Sequence, residues 1–315
     1  MRGITNMDSY ISNPHFQPKE MHIKPHSVYK EFAMKAFRIF LYCLPVIIFI
    51  FPFMVLITRS FFSYEESVGY TEGLGLFPKV WTLESYKEAF GNEEIRNGLL
   101  TGLKNTMIIV VCNVIGVPLT AFMSAYAFTK IKFKFRKVIF TVALGTIMIP
   151  GILLMIPVYQ IFWKMGWTNT ILPLTIPCFF GGGILNIFMI MQFIRSIPKE
   201  IDEAAILDGA NLPTRMFGLT LPLIKPIIIY LMVSCFFGAW NDFAGPLMYI
   251  KSTAPESFTL NLYIYYEYLS ETSLVTMRPN VQMVFGVLMM IPMFVIFVIF
   301  QKHLVAGLTF GAVKE

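Results

Sequence analysis

The chain has 315 residues, of which 56% are hydrophobic, 16% aromatic and only 14% charged, with mean hydropathy +0.65 and formal net charge +6. Soluble domains carry roughly 45–50% apolar and about 25% charged residues, so this composition excludes an ordinary soluble enzyme and points to repeated passage through a bilayer. In such a chain the positive charge is read by its position relative to the apolar runs, not as a nucleic-acid footprint.

Residues 1–35 are polar and mixed, with Pro14, Pro18 and Pro25 and no sustained period. They read as an N-terminal cytoplasmic arm, followed by a membrane domain over 36–315. His22 and His26 stand four apart, but Pro25 between them argues against a helical metal pair. The first span is expected at about 37–57, with Pro45 and Pro52 kinking it at most. An acidic loop from Arg59 to Leu100 follows. Within it WTLESYKEAF reads as a short surface helix with Thr82 as N-cap.

The second span is expected at about 106–128. It ends at KIKFKFRK, residues 130–137, which holds five cations in eight positions. The third, about 138–162, is broken by Pro150 and Pro157. The fourth, about 171–193, is loosened in its first half by Pro173, Pro177 and Gly181-Gly182-Gly183. A polar stretch, 197–226, leads to a fifth span at about 227–249. A loop carrying YIYYEYL precedes the sixth at about 281–300 and a short tail. Cys43, Cys112, Cys178 and Cys235 fall one per apolar run, without pair spacing, and read as small buried hydrophobes.

Six spans place both ends on one side. That side would carry seventeen of the 25 Lys and Arg, so the positive-inside rule puts both termini and the 197–226 stretch in the cytoplasm. The stretch reads as a helix–turn–helix bracket. Pro198 suits a first turn, and Glu200, Asp202 and Glu203 favour the positive helix end. Gly209 suits a left-handed cap, Pro213 opens a second short helix, and Pro222 and Pro226 turn the chain into the fifth span. Ala204-Ala205 makes a small-residue waist that another surface can approach. An ordinary amphipathic linker at the membrane surface would read the same way.

Glu203-Ala204-Ala205, then Gly209-Ala210, Leu221-Pro222 and Lys225-Pro226, resembles the EAA loop of ATP-binding-cassette importer permeases. LKNTMIIV, SAYAFTKIKFKFRK, FIRSIPKEIDEAA, GAWNDFAGPL and LVAGLTFGAVKE are similar to carbohydrate-type permeases, specifically the smaller permease of maltose-like transporters, over roughly 37–315. Pro213 is unusual within that loop, and the arm lies outside the resemblance. The resemblance implies an all-α membrane protein of the type I importer permease fold. It implies a bacterial inner-membrane location, and an ATPase-coupling role for Glu203, Ala204, Ala205, Asp208, Gly209, Ala210 and Pro222. It also implies tail contacts to the ATPase from Thr309 to Lys314. The implied partners are a second permease, a dimer of ATP-binding subunits and an extracytoplasmic solute-binding protein.

The chain contains no G-x-x-x-x-G-K-[ST] phosphate loop, since Gly307 and Gly311 have the wrong spacing. ATP and Mg are therefore expected on the partner, with no cofactor, metal or catalytic residue here. An ion-coupled transporter needs ionisable groups within its spans, and only Asp242 qualifies. A permease for a non-sugar solute is the other alternative. Trp240, Asn241 and Asp242 are the substrate-pathway candidates, because sugars need paired donors and acceptors and an aromatic face. A polar pair hydrogen-bonded between spans would leave the same trace.

Overall fold

The structure, a computed structural model, describes residues 25–69, 75–91, 93–269 and 278–309. The first 24 residues of the arm and Lys314 of the tail lie outside these. The described residues are helical throughout their ordered elements. In chain order these are α1 Pro25–Arg59, α2 Tyr64–Gly69, α3 Glu84–Gly91, α4 Glu93–Lys130, α5 Arg136–Gly145, α6 Gly151–Lys164, α7 Leu172–Thr175 and α8 Ile184–Ser196. Then come α9 Lys199–Leu207, a π-helical segment Thr214–Thr220, α10 Leu221–Leu223, α11 Lys225–Asn241, α12 Ala244–Tyr249, α13 Leu260–Ile264 and α14 Pro279–Thr309.

Four helical stretches are long and apolar enough to cross a membrane singly: 32–59, 93–130, 172–196 and 279–304. Two bent pairs bring the candidates to six. They are 136–148 with 151–164, bent by 104°, and 214–223 with 225–241, bent by 80°. The first bend has a local cause. Pro150 forces Ile149 out of the helical region, to φ −81° and ψ 116°, and the helix stops. Pro157 by contrast is accommodated inside α6.

The chain divides into two units, 1–55 and 56–315. Within the first, residues 32–53 of α1 are all exposed. Cys43 is among them, against the expectation of burial. Within the second, α4 is the central element and packs most extensively on α11, α8 and α13. Where α4, α8 and α11 meet, Phe122, Tyr126, Ile190, Ile194, Ile227 and Leu231 are buried. Lipid tails are as apolar as these side chains, so their association rests on dispersion and shape rather than on water release. Gly182 supports the shape: a Cβ there would stand 2.4 Å from the Val117 carbonyl oxygen, and its φ is +65°.

Three sequence expectations are corrected. Pro198 precedes the helix rather than occupying its first turn, with ψ 138°. The fifth span ends at Asn241, because Asp242 is extended (φ −66°, ψ 117°) and the chain restarts as α12. The segment after it is not an open loop. Asn105 of α4 donates to the carbonyls of Glu256 (2.8 Å) and Phe258 (2.9 Å), and Thr106 Oγ1 accepts from the Leu260 N–H (2.9 Å). These bonds seat α13 and the π-turn Tyr265–Leu269 against α4. Phe243–Tyr265 and Phe258–Tyr266 ring pairs, each 5.1 Å apart, fill the seat. The surface helix predicted from WTLESYKEAF forms as α3, and Thr82 Oγ1 accepts from the Glu84 N–H.

Candidate functional site

The bracket is built by ordinary capping chemistry. α9 ends at Leu207 and is closed off by Gly209 two residues on, whose φ of +76° an L side chain rarely adopts. The Gly209 N–H donates to Ile206 O (3.0 Å) and the Ala210 N–H to Ala205 O (2.9 Å), which together form a Schellman motif. Asn211 then caps the second half. Its Oδ1 accepts from the Thr214 N–H (2.9 Å) and hydroxyl (2.7 Å). Asn211 was not singled out from the sequence, although Asn two residues before a proline in a helix-opening turn is a readable cap.

The two halves are tied by charge. Arg215 Nε lies 3.0 Å from Asp202 Oδ1 and Arg215 Nη2 3.0 Å from Oδ2, a fork-to-fork pair. Lys130, the last residue of α4, adds its Nζ 3.6 Å from Asp202 Oδ2. All three side chains are largely covered, at 13–17% exposure. The Arg215 hydrogen bonds hold the Asp202 carboxyl below its ordinary value, with Lys130 lowering it further against a desolvation that raises it. Sequence reading gave Asp202 only a helix-end role. The partner, thirteen residues on across a turn, has no periodic signal.

These contacts sort the bracket into two faces. Met216 and Thr220 are buried inward. Phe217 meets the Phe122 ring of α4 at 5.9 Å. Glu203, Ala204, Asp208, Gly209 and Pro222 are exposed, and Ala205 and Ala210 are half-buried. Beside them Leu207 is 88% exposed, with Ile206 and Leu212 also open. The exposed face of the bracket thus consists of small residues flanked by the Glu203 carboxylate and bare aliphatic side chains. Among the described residues there is no cluster of three or more His, Cys, Asp or Glu that could hold a metal.

At the far end of α11 the three pathway candidates separate. Trp240 is buried, stacks on Phe236 and donates from Nε1 to Met289 O of α14 at 3.0 Å. It lines an apolar cavity of about 380 Å³ together with Arg96, Leu99, Leu260 and Phe285. Asn241 is exposed and donates to Phe237 O (2.9 Å). Asp242 is half-buried, and its Oδ1 accepts from the Gly245 N–H (3.0 Å), holding the break after α11. Thr309 is the last residue of α14.

Residues 116–310, which take in the bracket and the helices on either side of it, match the family described as binding-protein-dependent transport system inner membrane component. The chain belongs to that family. As a permease component of a binding-protein-dependent ABC transporter it is a multi-pass membrane protein and a transport subunit, not an enzyme. Membership implies, in general, a partner permease, an ATPase and a binding protein. Among its relatives is the melibiose/raffinose/stachyose import permease protein MelC of Bacillus subtilis, 29% identical, with 84% of this chain and 91% of that one covered. Another is the trehalose/maltose transport system permease protein MalG of Thermococcus litoralis, 28% identical over 86% and 94%. The permease fold is also seen in the crystal structure of a bacterial ABC transporter involved in the import of the acidic polysaccharide alginate. That match has TM-score 0.73 and 18% identity, and covers 87% of this chain and 97% of that one.

Proposed function

We propose that this permease forms one half of the translocation pathway of an ATP-driven importer for a sugar or oligosaccharide, and that 197–226 docks on a separate ATP-binding subunit. The observation that carries the docking is the exposed face of Glu203, Ala204, Leu207 and Gly209 on a bracket pinned to the end of α4 by Asp202, Arg215 and Lys130. ATP and Mg reside on the ATPase dimer. Its closure moves the bracket, and the bracket moves α11 through α10 and α4 through Lys130. Because α4 is a single helix of 38 residues, at about 1.5 Å per residue it carries displacement across the bilayer.

Six spans with both termini in the cytoplasm fit this arrangement, with each bent pair counted as one span. Asn241 and Asp242, at the break after α11, offer polar groups to a solute, with Trp240 behind them. Thr309 and Lys314 extend the ATPase contact, and an extracytoplasmic binding protein delivers the solute. The sugar assignment is supported by the similarity to relatives named as sugar permeases, MelC and MalG among them.

The test is uptake of labelled sugar in cells carrying Glu203→Lys or Gly209→Asp. Loss of uptake with normal membrane abundance and lost co-purification of the ATPase is expected. Normal uptake by both variants would sink the docking role. Transport that stops on ATP depletion but survives collapse of the proton gradient is the companion result.

A further inference from the structure

The basic run 130–137 is only partly used by the bracket, through Lys130. We propose that the remainder, the loop joining α4 to α5, is a binding site for the phosphate of an anionic phospholipid headgroup. The proposal stands apart from the docking of any ATPase.

The loop occupies 131–135, between the last residue of one membrane-spanning helix and the first of the next apolar segment. It therefore sits at the bilayer surface. Lys132, Lys134 and Lys137 are exposed. Arg136 is half-buried, and its Nη1 donates to Ile131 O at 3.1 Å, which fixes the guanidinium over the loop. Among the described residues none of these four forms an ion pair with a carboxylate, whereas Lys130 has Asp202. Four cations within six positions repel one another unless an anion lies between them.

The loop also has a shape. A hollow of about 320 Å³ is lined by Lys132, Phe133, Phe135, Arg136, Lys137 and Val138, a volume that admits a phosphodiester headgroup. Phe135 is held left-handed, at φ 63° and ψ 10°. That conformation is disfavoured for a bulky L residue, and here it leaves the ring 63% exposed beside the cations. Phe133 is exposed as well. Aromatic rings at the headgroup level and cations against anionic phosphate are the two chemistries of a membrane surface. A soluble anion would need the cations but gain nothing from the rings. Val138, Ile139 and Val142 continue from the hollow along α5 as exposed apolar surface, where the acyl chains would run.

The test uses the purified full-length protein in mixed micelles of phosphatidylglycerol and phosphatidylethanolamine, with retained lipid read by native mass spectrometry. The wild type retains phosphatidylglycerol preferentially. Each lysine near an anionic surface is worth roughly fivefold, so Lys132→Gln with Lys137→Gln lowers that preference by about 25-fold. Both side chains are exposed, so this pair tests the site without the folding risk of Arg136→Gln. The control pair Lys79→Gln with Lys251→Gln leaves the preference unchanged. An unchanged preference in the Lys132/Lys137 variant overturns the site. So does excess inorganic phosphate displacing the lipid completely, which assigns the hollow to a free anion. A wild type with no preference for phosphatidylglycerol overturns it as well and gives the cations to an acidic protein surface.

Discussion

Arg215 grips both carboxylate oxygens of Asp202 at 3.0 Å, and in doing so closes the bracket across the turn at Gly209. The pair is mostly covered, so removing one partner leaves the other charge poorly solvated and costs about 1.5–3 kcal/mol. Asp202→Asn and Arg215→Gln are both expected to lower the midpoint of thermal unfolding of the purified protein and to leave the bracket loosely attached. Arg215→Lys rescues little, because an ammonium cannot make the two-pronged contact. Limited proteolysis at 207–214 reads the loosening directly. Equal cleavage rates in wild type and both variants would remove the structural role of the pair.

The same carboxylate sets a pH dependence. Its folded value lies below the ordinary 3.8, so its contribution to stability is full above that value and is lost as pH falls through the lower folded one. The difference in melting midpoint between wild type and Asp202→Asn is therefore expected to be flat from pH 5 to 8 and to shrink below 3.8. A difference that shrinks as pH rises from 6 to 8 would show that another group controls the bracket.

Two glycines separate backbone strain from crowding. Gly181 and Gly182 both have positive φ, +94° and +65°, but a Cβ at 181 meets nothing within 4 Å while one at 182 strikes Val117 O and Ala121. Gly181→Ala is expected to cost about 1–2 kcal/mol, the left-handed penalty alone. Gly182→Ala adds about 1–3 kcal/mol of overpacking by pushing α8 off α4. Matched melts of the two variants check the order, and a smaller loss at 182 than at 181 would contradict the packing.

Much of this architecture could be read from the residues, and the failures have physical causes. Span existence followed from apolar length, and the bracket from its breakers, because Pro and Gly act locally. Pro150 and Gly209 behave as their backbone chemistry demands. The end of the fifth span was missed because Phe243, Leu247 and Met248 continue the apolar run past Asp242. Hydropathy does not register a carboxylate that turns back to bond the Gly245 N–H. The ion triad was missed because Lys130, Asp202 and Arg215 are brought together by tertiary packing, without a shared period. The hydrogen bond from the Trp240 indole N–H to Met289 O was missed for the same reason, since the partner lies 49 residues away.

The aromatic segment after α12 depends on one amide in the same non-local way. Asn105, 8% exposed, satisfies two carbonyls more than 150 residues ahead in sequence, Glu256 O and Phe258 O. Gly102, one turn earlier, lets Leu260 approach to 3.0 Å of where a Cβ would stand. Asn105→Leu keeps the volume but removes both donors, so the buried Phe258 carbonyl loses its partner at about 1–3 kcal/mol, while the Glu256 carbonyl, on an exposed residue, can turn to water. Backbone amide exchange over 255–264 is expected to accelerate in this variant while that of α8 and α9 is unchanged, since neither touches the amide. Asn105→Asp is expected to be worse than Leu, because an ionised carboxylate would face the same two carbonyl oxygens with no proton to give. Exchange that is equally slow in all three proteins would mean that the ring pairs alone hold the segment in place.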